Sequence, residues 1–254
     1  MLEKIKTQYE LDRTKRPIGF LQLLSYAREA VRNEGVRRLA RIHGPHFAHF
    51  IYYKKIRKTP ETFIFLGRTY QYLTALYNAT YTNERSVEVP IAMNIMNAYR
   101  GMRILEVGNV LSHYLVFPHV IVDKYESAPG VINEDILDYR TDEKFDLIIS
   151  ISTLEHVGWD ETPRDDTKIP KTLENLKNLV MPGGQIIITV PIGQNPVLDD
   201  LVRKRSIEFD RRYYMKRVSR SNLWSETSEE EAYSSKYGSP YRYGNAIMIA
   251  FISR

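Results

Sequence analysis

Residues 103–112 have the sequence Arg-Ile-Leu-Glu-Val-Gly-Asn-Val-Leu-Ser, a short apolar run that ends in an acid and a glycine. This pattern is typical of a buried parallel strand that turns at the sheet edge where nucleotide-like ligands bind. Gly108 allows a tight turn and a close backbone approach, because it has no Cβ atom. Sequences of an apolar residue, an acid and a glycine are common, so this one indicates a ligand-binding turn only if the segments around it support that interpretation.

Further apolar segments predict an alternation of strands and helices after residue 112. Strands are expected at 119–122, 131–133, 146–151 and 185–190, and a helix is expected at 170–180. Continuous apolar strands alternating with helices favour a doubly wound parallel sheet. Two late strands, at 212–218 and 246–253, favour an antiparallel edge on that sheet. We therefore predict an α/β, Rossmann-like fold with a mostly parallel seven-stranded sheet.

The amino-terminal part of the chain differs in pattern. Residues 18–42 predict an amphipathic helix, and residues 62–73 alternate in a way that predicts a β-hairpin with Gly67 in its turn. Histidines 43, 46 and 49 would fan around a helix axis, so we interpret them as structural and predict no metal site. These patterns divide the chain into a basic helical and hairpin extension over residues 1–85 and an α/β domain over residues 86–254.

Composition and charge narrow the function classes. The 254 residues include no cysteine, which excludes disulfides, thiolate metal sites and thiol catalysis. No apolar run approaches the roughly 18 residues of a membrane span, which favours a cytoplasmic protein. Fourteen basic and five acidic residues precede Thr59. This basic segment, residues 1–58, which we call the basic head, favours an anionic partner, such as a membrane surface contacted peripherally or a phosphate-bearing acceptor. The alternative is a solvated helix face without a partner.

The order and spacing of these segments resemble those of class I S-adenosylmethionine-dependent methyltransferases, over roughly residues 84–192. The motifs are Leu-Glu-Val-Gly at 105–108, Val-Asp at 122–123, Glu-Asp-Ile at 134–136, Phe-Asp-Leu-Ile at 145–148, Leu-Glu-His-Val at 154–157 and Leu-Val-Met-Pro-Gly-Gly at 179–184. The resemblance implies S-adenosylmethionine (SAM) as the cofactor and S-adenosylhomocysteine (SAH) as its product.

The resemblance also implies that the groups after successive strands bind the cofactor. These residues are Glu106, Gly108, Asn109, Asp123, Asp135, Ile136 and Ser152. Glu106 would line the methionine end, and Asp123 would accept hydrogen bonds from both ribose hydroxyls. Asp135 would accept from the adenine amino group with Ile136 against the ring, and Ser152 would lie beside the reacting methyl group. Each acid also has a structural interpretation, because acids at strand ends often cap the next segment.

The acceptor side is predicted from the residues after the fourth strand. His156, with Glu155, is the catalytic candidate, because an alcohol acceptor must lose a proton and histidine accepts one near neutral pH. The alternative is that this pair only orients the next segment. Trp159, Asp160 and Arg85 are predicted to contact the acceptor, and an aromatic–acid pair suits a sugar or glycan hydroxyl.

Departures from the family pattern keep other functions open. Val110 and Ser112 stand where the family's further glycines would be, and Ser152 stands where metal-binding relatives carry an additional glutamate. An NAD-dependent dehydrogenase shares the strand–glycine opening and the acid after the second strand. A non-catalytic binding module with a decayed cofactor turn is the third alternative. No dedicated RNA-binding module is visible, so nucleic acid is not a predicted partner. The oligomeric state is not predicted.

Overall fold

The computed structural model describes residues 62–254, and the helix predicted at 18–42 and the three histidines that follow it lie outside the described residues. The strands are β1 Thr62–Phe65, β2 Arg68–Gln71, β3 Ile104–Val107, β4 Val120–Val122, β5 Val131–Ile132, β6 Phe145–Ile151, β7 Val180–Pro191, β8 Arg211–Arg217, β9 Trp224–Thr227 and β10 Ala246–Ser253. The α-helices are α1 Arg85–Ala98, α2 Lys168–Leu179, α3 Pro196–Arg203 and α4 Glu229–Tyr233. Short 3₁₀ helices occupy Tyr77–Thr82, Leu111–His113 and Leu154–His156.

Eight of these strands form one sheet in the order β5-β4-β3-β6-β7-β10-β8-β9. Strands β3 to β7 pair in parallel, whereas β10 is antiparallel to both β7 and β8. This confirms the predicted α/β, mostly parallel fold with an antiparallel edge. The predicted count of seven strands is one too low, because Trp224–Thr227 pairs with β8 as an extra edge strand.

The strand order defines where a ligand can bind. Strands β4 and then β5 lie on one side of β3, and the next strand, β6, lies on the other side. In open α/β sheets, ligands bind outside the carboxyl ends of the strands at such a switch point. The switch point here lies between the ends of β3 and β6, which carry Gly108 and Ser152 respectively.

Two apolar layers cover the sheet. One contains buried residues of α2, α3 and α4, and the other contains buried residues of α1 together with Phe63 and Phe65 of the hairpin. The predicted hairpin is therefore present, with Leu66 and Gly67 as its turn, and it packs near Trp224 of β9. Within residues 62–254, no helix is both long enough and apolar enough to cross a membrane.

Candidate active site

The turn after β3 approaches the end of β6 closely. Gly108 has a left-handed backbone, with φ of +83°. A Cβ atom at this position would lie 2.8 Å from Cγ2 of Thr153 and closer still to its Oγ1. Only glycine therefore fits this turn, because any larger residue would meet both the strain of the left-handed region and the threonine side chain.

Glu106 is fully buried and holds the loop that follows it. Its Oε1 accepts hydrogen bonds from the backbone N–H groups of Val110 and Leu111, at 3.0 and 2.7 Å. Its Oε2 lies 2.7 Å from Nε2 of His119, whose Nδ1 lies 2.7 Å from the carbonyl oxygen of Phe117. Because that carbonyl can only accept, we assign a proton to Nδ1, and the His119 ring connects Glu106 to the backbone of Phe117. The carboxylate thus positions the turn that includes Gly108, and direct contact with a ligand stays a prediction.

Asp123 joins the ends of β3 and β4. Its Oδ1 accepts from the backbone N–H groups of Tyr125 and Glu126, and its Oδ2 accepts from the N–H of Asn109 at 2.8 Å. The Asn109 side chain in turn donates to Oε1 of Glu126 at 2.7 Å. Oδ2 of Asp123 retains capacity for a further donor, since a carboxylate oxygen has two lone pairs. Glu126, which the sequence analysis did not single out, adds a second carboxylate at this point.

Asp135 belongs to a network of two acids and two lysines. Lys168 donates to Asp135 and Glu161 at 2.5 and 2.6 Å, and Lys124 reaches the same two acids at 2.9 and 3.0 Å. Burial alone would raise the pKa of Asp135, but the hydrogen bonds from Lys168, the Leu137 backbone and Lys124 outweigh burial and lower that pKa. The carboxylate is therefore ionised and can accept further donors. Neighbouring Ile136 is buried and belongs to the apolar layer that contains α2.

Ser152 and Arg85 are connected through α1. The Ser152 hydroxyl donates to Glu88, 2.7 Å from Oε1, and the residue has a left-handed φ of 38°. Arg85 donates to Glu88 at 3.2 Å and to the carbonyl oxygens of Ile151 and Ser152 at 2.8 and 3.3 Å. The strained backbone at the end of β6 is thus fixed by a buried ion pair from the first turn of α1, as strain at functional sites often is.

Glu155 is the most unusual group at this edge. Its side chain is 1 % exposed, and within residues 62–254 neither carboxyl oxygen has a hydrogen-bond partner. Burial raises the pKa of Glu155 well above its ordinary value. Its backbone carbonyl accepts from the side chain of Asn195, which also caps the start of α3. A buried carboxyl without donors is costly unless a ligand supplies them.

His156 lies at the surface between two acids. Its Nδ1 is 2.5 Å from Oδ2 of Asp160, and its Nε2 is 3.6 Å from Oε1 of Glu155. Because Asp160 accepts, we assign the proton to Nδ1. Nε2 then accepts from the side-chain amide N–H of Gln194 at 3.3 Å, a contact that an acceptor hydroxyl would replace. Predicted Trp159 lies nearby in sequence, but the guanidinium of Arg164 is 3.4 Å from the centre of its ring. One face of that ring is therefore already covered.

The first turn of α3 contains a carboxyl group with a raised pKa. Asp199 accepts from the backbone N–H of Gly193 at 2.9 Å, and burial raises its pKa to about 6. Because the folded-state pKa lies above the ordinary value of 3.8, the protonated carboxyl is favoured in the fold. That contribution is fully present below about pH 4 and is lost as the pH rises through about 6.

Replacement of Asp199 by asparagine should therefore stabilise the protein at pH 7.5 but not at pH 4. The amide keeps an acceptor for Gly193 and carries no charge, so we expect a gain of about 1–3 kcal/mol in the free energy of unfolding at the higher pH. Urea denaturation of both proteins at the two pH values measures this difference. A gain of equal size at pH 4 would show that charge is not its cause.

Comparisons with known proteins give distant structural matches. No protein-family model matches the sequence, and no curated protein matches it. Among solved structures, N-methyltransferase NodS from Bradyrhizobium japonicum, in complex with SAH, is 14 % identical with a TM-score of 0.43, over 66 % of this chain and 85 % of that one. A TehB-like SAM-dependent methyltransferase from Corynebacterium glutamicum is 17 % identical with a TM-score of 0.40, over 63 % and 85 %.

A third match is 1,6-didemethyltoxoflavin-N1-methyltransferase from Burkholderia thailandensis, solved with bound 1,6-didemethyltoxoflavin and SAH. It is 14 % identical with a TM-score of 0.41, over 77 % of this chain and all of that one. TM-scores at this level do not by themselves establish a shared fold, so the fold assignment depends on the strand order described above. By that order, the chain has a Rossmann-like, doubly wound α/β fold whose switch point carries the candidate site.

Proposed function

We propose that the protein is a SAM-dependent methyltransferase that methylates a hydroxyl group of a sugar, a glycan or another small hydroxylated acceptor. The observation that carries this proposal is the arrangement at the switch point. There the carboxylates of Asp123 and Asp135 follow β4 and β5, and the His156–Asp160 pair follows β6. The first set suits a ribose and an adenine amino group, and the second suits proton removal from an alcohol.

The residues present fit the adenosyl part of the cofactor. Oδ2 of Asp123 has accepting capacity left for a ribose hydroxyl, and Glu126 offers a second carboxylate beside it. Asp135 is ionised and is approached by Lys124, whose side chain is 35 % exposed. An adenine amino group can therefore replace that lysine on Asp135 without leaving a buried charge unpaired. Glu106 would contribute by holding the turn of Gly108 in place.

The histidine–aspartate pair gives the acceptor side its chemistry. When bound, SAM would supply a methyl group on a positively charged sulfur, and that sulfur would keep the electron pair of the carbon–sulfur bond when the acceptor oxygen takes the methyl group. The acceptor proton goes to Nε2 of His156. Asp160 holds the ring in the required tautomer and stabilises the positive charge that develops, as an acid does in other histidine-based catalysts. Glu155, Trp159 and Arg85 complete the proposed acceptor side.

Location and partners remain proposals from the charge pattern. The basic residues before Thr59 favour an anionic surface or a phosphate-bearing acceptor. We propose a cytoplasmic enzyme whose basic head contacts a membrane surface or such an acceptor. A sedimentation assay with vesicles of anionic and of neutral lipid tests the membrane part, and equal binding to both would contradict it.

Replacement of Asp123 by alanine should weaken SAH binding by about 10- to 100-fold, because a charge-assisted hydrogen bond to the ribose is lost. Calorimetric titration with SAH, and with NAD in parallel, measures this effect and identifies the cofactor class. Asp142→Ala serves as the control, because Asp142 is exposed. Equal SAH affinity of Asp123→Ala and the parent protein would contradict the proposal that Asp123 binds the ribose. Binding of NAD alone would favour a dehydrogenase, and binding of neither would favour a non-catalytic module.

A further inference from the structure

The carboxyl group of Glu155 combines deep burial with proximity to the surface. Its side chain is 1 % exposed and has no hydrogen-bond partner among residues 62–254, yet its Oε1 lies 3.6 Å from Nε2 of His156, whose side chain is 41 % exposed. The carboxyl oxygens are themselves buried, and the partly exposed imidazole lies next to them. A ligand bound at Nε2 of His156 would therefore be a neighbour of this carboxyl.

The charges around Glu155 are not balanced. Glu84 and Glu88 are both buried, and their charges help to raise the pKa of Glu155, after the larger effect of burial itself. Arg85 is the cation of this cluster, and it pairs with Glu88 at 3.2 Å. Its remaining contacts are to the carbonyl oxygens of Ile151 and Ser152.

Two acids of the cluster are left without a lysine or arginine ion pair in the part of the chain that the structure describes. Glu84 accepts a hydrogen bond from the backbone N–H of Gly244 at 3.0 Å, and burial together with Glu88 raises its pKa. Glu155 accepts none. Buried carboxylates in proteins are normally paired and hydrogen-bonded. A cationic group with N–H donors would add to the effect of Arg85, favour the ionised form of Glu155 and supply the hydrogen bonds that Glu155 lacks.

We propose that the acceptor is a vicinal amino alcohol, whose ammonium group binds Glu155 while its neighbouring hydroxyl group faces Nε2 of His156. The spacing supports this pairing: acceptor atoms 3.6 Å apart can be reached by donors on adjacent carbons, each at an ordinary hydrogen-bond length. The ammonium group anchors and orients the acceptor, and the hydroxyl group reacts. This inference rests on the proposed function, because it names the acceptor class of the same site.

The test compares amino alcohols with matched uncharged compounds on the SAH-saturated protein. Glucosamine is titrated beside glucose and N-acetylglucosamine, and ethanolamine beside ethylene glycol, with calorimetric detection. We expect each amine to bind at least about 10-fold more tightly than its uncharged counterparts, as for a charge-assisted hydrogen bond. Equal affinity within both sets, or no binding of either amine, would overturn the proposal without any variant being needed.

Two variants then assign the effect to the carboxyl group. Glu155→Gln should abolish the preference for amines, leave SAH affinity unchanged and not lower the melting temperature, because it removes a buried titratable carboxyl. Glu143→Gln, at an exposed position, should leave the preference intact. Retention of the preference in Glu155→Gln would overturn the proposal. If that variant instead loses SAH affinity, the cation is the cofactor's own amino group, which also overturns it. Failure of the parent protein to bind SAH would refute the methyltransferase proposal separately, and the amine titrations on the SAH-free protein would still test the carboxyl cluster.

Discussion

Replacement of His156 by alanine should lower kcat for methylation of a hydroxylated acceptor by about 100- to 10,000-fold, the usual contribution of a general base. The reason is geometric: Nδ1 of His156 is engaged by Asp160 at 2.5 Å, so Nε2 is the atom left to take the acceptor proton. SAH affinity should change little, because the predicted cofactor residues, Ser152 after β6 excepted, lie at the ends of β3, β4 and β5. Initial rates of methyl transfer from labelled SAM, together with SAH titrations, separate the two effects.

A purely structural role for His156 predicts a different outcome. Added imidazole should restore part of the lost rate if the ring only carries a proton, and it should restore nothing if the ring only supports the loop. Asp160→Asn should lower kcat less than His156→Ala does, because the asparagine side chain still contacts Nδ1. It should nevertheless lower kcat, because the amide can stabilise the wrong tautomer of the ring. Full activity of His156→Ala would remove the histidine as the base, and the neighbouring carboxyl of Glu155 would become the candidate instead.

Much of the fold was predictable because it depends on local patterns. The apolar runs at β3, β4, β6 and β7 are visible in the sequence, and they predicted the parallel pairing of these strands. The expected alternation with helices holds only between β6 and β7, because no α-helix lies among the described residues between β3 and β6. Strand β9 was missed because its four residues include Ser225 and Glu226, both exposed, so that the strand lacks an apolar run. Edge strands are often short and polar for this reason.

The partners of the site residues were not predictable, since they come from distant parts of the chain. Glu106 meets His119, and Ser152 meets Glu88 from α1, 64 residues earlier. Sequence spacing gives the residues at a strand end but not the side chains that reach them from other elements. Glu84 and Glu88 could have been singled out from the sequence, because acids at the start of an otherwise apolar, buried helix must have partners.

Replacement of Gly108 by alanine should destabilise the protein by about 2–5 kcal/mol. The left-handed φ of +83° costs an alanine roughly 1–2 kcal/mol, and the clash with Thr153 adds about 1–3 kcal/mol of overpacking. Urea denaturation measures the change. Gly101→Ala is the matched control, because Gly101 has a similar φ of +87° and no atom within 4 Å of an added Cβ. It should therefore show the backbone cost alone.

The clash between an added Cβ at position 108 and Thr153 can be relieved by a second substitution. Thr153→Ala removes the two side-chain atoms that lie nearest to the added Cβ, so the double variant should be less destabilised than the sum of its single variants by at least about 1 kcal/mol. SAH affinity should follow the same order, because the turn of Gly108 borders the switch point. If Gly108→Ala and Gly101→Ala cost the same, or if Thr153→Ala brings no recovery, the close contact between the ends of β3 and β6 does not shape this turn. The candidate site would then lose the feature that joins its cofactor side to its acceptor side.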